Sequence, residues 1–366
     1  MKSLAGKERE IAIISIMFII ILSNGLLFYF QNLTENEIRN NLFEQEKERQ
    51  LQATREITQH VGSDISLVMG MLDGLGNSIY LQQGQLSSDN ARKLLQEKYV
   101  QFNRTLDRLF ILNKDNIMTL SLAPTGSDTF LNSDFSFRDW VIETRSMLHP
   151  VFSGGFESVG VYREFITIPI INRETHQYIG IAGASIRTEN FFAHYGNIND
   201  INSQFLVAYD KDGIMLANGA NRNLVGQNFF EDTTQHFIRH NQILNNLTRN
   251  LLAGNPGAAV YDYGNGERLT TQYPILVDGK STYYLQIVTP TSQIYSVVNN
   301  VLSMQNLKMF SVFGGASTIA IVVLAVLLRQ WNVILKRAVK RRTMELEESF
   351  EEMKRYLEQV LKEVKK

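Results

Sequence analysis

Hydrophobic positions fall into four textures along this chain. Ile11 to Phe30 (IAIISIMFIIILSNGLLFYF) and Met309 to Leu328 (MFSVFGGASTIAIVVLAVLL) carry no charge at all. At a helical rise of about 1.5 Å, about 20 such residues cover roughly 30 Å, the hydrocarbon thickness of a bilayer. Both predict transmembrane helices, at 11–30 and 309–328. The competing reading of the first is a secretory signal peptide, which calls for a shorter apolar region and a small-residue cleavage site. Ser311/Gly315 and Ala316/Ala320 are small-xxx-small spacings that let helices pack closely in lipid, although small residues are common in membrane helices anyway.

Between these segments the second texture is helical. From Asn32 to about Tyr80 the apolar residues Leu42, Ile57, Val61, Ile65, Val68, Leu72 and Ile79 include steps of three and four, one buried face of a long helix. Leu86 to Phe102 predicts another helix, with Ser87 or Ser88 as its N-cap. The third texture is β-prone. RLFILNKDNIMTLSLA is two apolar runs around Asn113–Asn116, a hairpin signal. SFRDWVIETRSML follows as a short helix, then HPVFSGGFES, VYREFITIPIINRE and QYIGIAGASI as three strands. The same order restarts at Gln204. FLVAYDKDGIMLANG turns at Lys211-Asp212-Gly213, HFIRHNQILNNLTRNLLAG predicts one helix ending at Gly254, and AAVYDY, ERLTTQYPILV and STYYLQIVTP supply three strands. The class is therefore α+β. Two copies of one antiparallel-sheet domain, about 104–195 and 200–295, are expected to stack on long N-terminal helices at 32–100. Ser292 to Lys308 predicts a helix leading into the second apolar segment.

The fourth texture is a heptad seam. Val339, Thr343, Leu346, Phe350, Met353, Leu357, Val360 and Val364 alternate steps of four and three, flanked by Glu and Lys. This predicts a coiled coil over 329–366 and a parallel homodimer. The alternative, a single amphipathic helix on the bilayer, is disfavoured by the glutamates.

Charge sets the orientation. Lys2, Lys7 and Arg9 precede the first apolar segment, and Arg329, Lys336, Arg337, Lys340, Arg341 and Arg342 follow the second with no acid among them. Basic flanks stay in the cytoplasm, so the expected topology is a multi-pass cell-membrane protein. Residues 1–10 and the tail are inside and 31–305 outside. The formal net charge of −1 gives no pull toward nucleic acid, and the absence of cysteine excludes disulfides, thiol nucleophiles and cysteine metal sites.

Four ordered elements carry a resemblance: Phe137-Arg138-Asp139-Trp140, the Pro150–Ser153 strand, Ile168-Pro169-Ile170, and Gly180-Ile181-Ala182-Gly183. In order and spacing they resemble the R-x-W helix, P-x-x-S strand, Pro-Ile strand and Gly-rich strand of double Cache sensor modules in archaeal and bacterial histidine kinases and chemoreceptors. The resemblance covers about 32–305 and implies two tandem PAS-like (Cache) domains. It also implies a small-molecule ligand in the membrane-distal domain, contacting Arg138, Trp140, Ser153, Phe156, Tyr162 and Ser185. Arg138 would clamp a carboxylate through two hydrogen bonds and Trp140 would wall the pocket, the competing roles being an ion pair with Asp134 or Asp139 and a core tryptophan. The chain departs from the family's amino-acid-binding pattern at Ser133 and Phe156, where tyrosines are expected, and at Ser185, where a carboxylate is expected. With no partner for an ammonium group, a small anion, carboxylate or neutral polar ligand is expected instead. Glu157, Tyr162 and Glu164 are further candidate contacts, although alternating strand residues more often face solvent.

Other constellations change little. His236 and His240, four apart, would share a helix face as a metal pair, but solvated residues explain them as well; no metal or cofactor is expected. Gly264-Asn265-Gly266 reads as a hairpin turn, and Asn32, Asn103 and Asn246 fit the glycosylation sequon. No nucleophile–base set stands out, so an enzyme is not expected. The tail also resembles the linker of archaeal sensor kinases. All six histidines precede Met309, so it has no phosphoacceptor histidine. The expected role is the sensory part of a two-component kinase, working with a cytoplasmic kinase or other transmitter. The alternatives are a chemoreceptor-type fragment and a membrane scaffold whose domains bind no small ligand.

Overall fold

The buried apolar stripe of α1 (Lys2–Gly76) runs to Leu75, at the end of the helix. In this computed structural model, which describes residues 2–124, 130–158, 160–196 and 204–364, Val61, Ile65, Val68, Leu72 and Leu75 of α1 are fully buried. Each contributes on the order of 1.5–3 kcal/mol of burial. Ile79 was expected on this stripe but is 64% exposed. The chain leaves the helix after Gly76, so helical phase is lost before the four-residue α2 (Ile79–Gln82). α3 (Asp89–Phe102) is capped by Ser88, whose Oγ accepts from Ala91 N at 3.2 Å.

The first sheet contains β1 (Arg108–Asn113), β2 (Met118–Leu122), β3 (Val151–Phe152), β4 (Phe156–Ser158), β5 (Val161–Ile171) and β6 (Tyr178–Arg187), with α4 (Asp139–Met147) between β2 and β3. Its order is β2-β1-β6-β5-β3, with β4 also on β5, all antiparallel. After α5 (Thr188–Ala193) come β7 (Phe205–Tyr209), β8 (Met215–Asn218), α6 (Asp232–Phe237), α7 (Gln242–Leu252), β9 (Gly257–Tyr261), β10 (Arg268–Val277) and β11 (Lys280–Pro290). They form a second sheet, β8-β7-β11-β10-β9, which repeats the order of the first. Two antiparallel sheets with long helices at both ends make tandem Cache-like α+β domains, as the repeated order of elements predicts.

The helix expected from His236 to Gly254 is two. Arg239 and His240 adopt φ of 53° and 51°, and Asn241 caps a new helix by accepting from Leu244 N at 2.9 Å. His236 and His240 therefore do not share a helix face, although their rings meet edge to face at 6.0 Å.

Residues Asn40–Val298 form one compact unit; Met1–Arg39 with Asn299–Lys366 form the other. In the larger unit, α1 and the facing sides of both sheets share one apolar core, and each sheet buries its other side under its own helices. In the smaller, Gln31 Nε2 donates to Asn306 Oδ1 at 3.2 Å. α8 (Thr291–Val364) contains a stretch long and apolar enough to cross a membrane, which supports membrane association. Ile11–Phe30 lies within α1, and several of its side chains lie outside the described residues.

Candidate functional site

Strand alternation places Arg108 and Phe110 of β1, Arg163 and Phe165 of β5, and Gly183 and Ser185 of β6 on the sheet face under α4, with Ser185 in register between Arg108 and Phe165. Gly183 is required there: a Cβ would stand 2.3 Å from the Phe110 ring. Trp140, one residue into α4, is 4% exposed and stacks on Phe165 at 4.9 Å. Phe165 in turn stacks on Phe156 at 5.0 Å. Arg138 stands at the N-cap of α4 in extended conformation with no side-chain cap bond. Its guanidinium lies 4.9 Å from the Phe137 ring centre and 5.2 Å from that of Phe156. Together these groups enclose a cavity of about 30 Å³ lined by Arg108, Met118, Phe130, Phe135, Arg138, Trp140, Phe156, Ser158, Arg163 and Phe165.

Three guanidiniums thus meet one small space. Arg163 is tied to the buried Asp107 at 2.7 Å, and Arg187 pairs with the same carboxylate. Arg108 donates to Ser121 Oγ at 3.1 Å and lies 4.9 Å from the Phe130 ring centre. Among the described residues no ion pair joins Arg138 to Asp134 or Asp139. Backbone and side-chain hydrogen bonds from Ser136 hold the Asp134 carboxyl below its ordinary range. Two further polar groups are buried without a hydrogen-bond partner: Trp140 Nε1 and Ser185 Oγ. Leaving such a group unpaired costs about 1–3 kcal/mol. Among the described residues the lining side chains offer N–H and O–H groups and no carboxylate.

Of the six expected ligand contacts, Arg138, Trp140 and Phe156 wall the cavity and Ser185 lies on the same sheet face. Ser153 is a scaffold residue, its Oγ accepting from Phe165 N at 2.8 Å. Tyr162 lies on the opposite face of β5, where its hydroxyl donates to Gly155 O at 2.8 Å and burial pushes its pKa up to about 12. Glu157 is exposed, but Glu164 is not solvent-facing as its alternation suggested: it is 2% exposed on the α1 side of the sheet. Sequence reading missed Arg108 and Arg163. The available signal was a single cation two positions before a phenylalanine in each of two strands.

No family profile and no curated protein matches the chain. Solved structures do. The extracellular domain of mmHK1S-Z2, a candidate histidine kinase, superposes with a TM-score of 0.54 at 10% identity, covering 68% of this chain and 98% of that one. The periplasmic sensory domain of the Campylobacter jejuni chemoreceptor Tlp1 gives 0.54 at 12% identity over 69% and 98%. The ligand-binding domain of the Pseudomonas fluorescens chemoreceptor CtaA, solved with L-isoleucine, gives 0.52 at 11% identity over 71% and 98%. This chain has the Cache/PAS-like fold of extracytoplasmic sensor domains. Among the described residues no group of three or more His, Cys, Asp or Glu side chains that could hold a metal ion assembles.

Proposed function

We propose that the protein is a transmembrane receptor, a double Cache sensor whose membrane-distal domain binds a small anion or carboxylate in the cavity under α4. One observation carries this reading. Arg108, Arg138 and Trp140 bring donors to the cavity, Trp140 Nε1 and the nearby Ser185 Oγ lack partners, and among the described residues no carboxylate lines it. An anion would satisfy these groups through charge-assisted hydrogen bonds. A ligand ammonium would be buried unpaired, which disfavours an amino acid. A volume of about 30 Å³ suits a head group of few heavy atoms.

Residues 11–30 and 309–328 span the cell membrane, both termini are cytoplasmic, and 31–305 lies outside, on the strength of the basic flanks. The heptad positions Val339, Leu346, Phe350, Met353, Leu357 and Val360 are all exposed on α8, a seam that a second copy would cover as a parallel coiled coil. Binding shifts the population between two packings of the sensor, and α8 carries the difference to a cytoplasmic kinase or other transmitter, so the ligand must prefer one packing. A thermal-shift screen of fragment 32–305 against small carboxylates, amino acids, amines and nucleobases tests the reading. Carboxylates should raise Tm and Arg138→Ala should abolish the rise. A panel with no shift would favour a scaffold that binds proteins through these domains.

A further inference from the structure

The seam where Ser153–Gly155 of the first domain meets the β7–β8 turn of the second holds two buried carboxylates. Asp210, 1% exposed, follows β7 and accepts from Asp212 N at 3.0 Å, from Ile214 N at 2.9 Å and, across the seam, from Gly155 N at 3.3 Å. Glu164 belongs to the other side of the seam. It is 2% exposed, and its Oε1 has no hydrogen-bond partner. The Tyr283 hydroxyl of β11 lies beside it, also buried and without a hydrogen bond of good geometry. The seam is sealed by Tyr162, whose ring is wedged between a glycine of each domain. A Cβ on Gly155 would stand 2.5 Å from that ring, and one on Gly226 2.7 Å.

The ionisable groups that bear on Glu164 are acids. They are Asp210 from the β7–β8 turn, Tyr283 from β11 and Tyr162 from its own strand, with Glu157 of β4 acting on Tyr162 in turn. Asp64 of α1 is held by the Tyr195 hydroxyl. The cations of β5 and β6, Arg163 and Arg187, pair with Asp107. Burial, reinforced by Asp210 and partly opposed by Tyr283, holds the Glu164 carboxyl well above the usual carboxylate range.

We propose that this seam is a proton site and gives the receptor a second input, extracytoplasmic acidity, acting through Glu164. With the proton in place the two domains close over a neutral side chain. When it leaves, two carboxylates stand in one dry seam, none of the groups bearing on Glu164 is a cation, and the seam loosens. This holds whatever occupies the cavity under α4. The sign follows from linkage: the folded state binds the proton more tightly than the unfolded chain. Stability is therefore complete in acid and declines as pH rises from the unfolded carboxylate value toward the raised folded one.

The full chain in lipid nanodiscs provides the test, and because it contains no cysteine, Ile142→Cys with Ile243→Cys gives one spin-label pair per protomer across the seam, read with the labelled chain diluted into an excess of unlabelled chain. In the otherwise unaltered chain, the interdomain distance should lengthen and broaden as pH is raised above the ordinary carboxylate range, and over the same interval Tm should fall by on the order of 2–4 °C per pH unit. Glu164→Gln should hold the acid-state distance throughout, show less than half that slope in Tm, and lose the infrared carbonyl band of a protonated carboxyl. Asp210→Asn should keep the transition but move it to lower pH, because it removes the charge that disfavours ionised Glu164. A pH-independent distance, or an unchanged transition in Glu164→Gln, overturns the proposal. Should Glu164→Gln fail to fold, an unshifted transition in Asp210→Asn overturns it equally.

Discussion

The two domains share strand order and one supporting helix, yet their cavities are finished differently. The second domain encloses its own space of about 40 Å³ beneath α6 and α7, lined by Tyr209, Tyr261, Tyr263 and Gln286 among apolar neighbours and by no charged side chain. Its polar groups largely saturate one another. Tyr209 Oη donates to Gln286 Oε1 at 2.9 Å, Gln286 Nε2 donates to Thr248 Oγ1 and Gln272 Oε1 at 3.1 Å each, and Tyr261 bonds Thr270 at 2.8 Å. Thr234 Oγ1 is left over. Under α4 the arrangement is reversed: three guanidiniums converge on the cavity, with buried donors unmatched. A closed network rigidifies a core, whereas buried groups without partners, here Trp140 Nε1 and Ser185 Oγ, leave work for a ligand.

The docking of α1 differs in the same sense. From Val61 to Leu75 its stripe is apolar, starting where Gly62 meets Ile275 and Leu276 of β10. Before that it is polar: Gln50, Thr54 and Thr58 are buried, and Thr54 Oγ1 bonds Thr271 Oγ1 of β10 at 2.6 Å. An apolar seam resists separation over its whole area, while one built on a few hydroxyls has fewer, more directional constraints.

Substitutions can break or sharpen this contrast. The largest effect is expected from Asp107→Ala, which strands the mostly buried Arg163 and should cost about 3–5 kcal/mol in denaturant unfolding. Loss of the second cavity's network in Gln286→Leu should cost about 1–3 kcal/mol without altering ligand binding, because it leaves buried partners unsatisfied. Thr54→Val removes a single buried hydroxyl pair and should cost about 1 kcal/mol, readable as a small midpoint shift. Arg138→Ala should change stability least and binding most, since its guanidinium is held by rings and no ion pair joins it to Asp134 or Asp139.

Much of this fold was legible because its signals are local. The hairpin at Asn113–Asn116 and the repeated strand order follow from apolar runs and turn residues. The break at Arg239 and His240 was not legible: two left-handed residues without glycine carry no composition signal, and Asn241 reveals itself as a cap only once Leu244 N is seen to donate to it. The cavity was half legible. Arg138, Trp140 and Phe156 sit in motif positions, but placing Arg108 and Arg163 requires knowing which face of a doubly buried sheet each strand presents. Strict alternation in β5 already separates Tyr162 and Glu164 from Arg163 and Phe165, so the six expected contacts could not all share one pocket.

The most direct test uses the chain's own reporter. Of its two tryptophans, only Trp140 lies within 32–305, so the intrinsic fluorescence of that fragment reports on the cavity wall. Titration with acetate, propionate and other small monocarboxylates should give a saturable change that Arg138→Ala abolishes while the fragment stays folded. Fluorescence unaffected by any carboxylate, or a change that persists in Arg138→Ala, would contradict an anion site under α4.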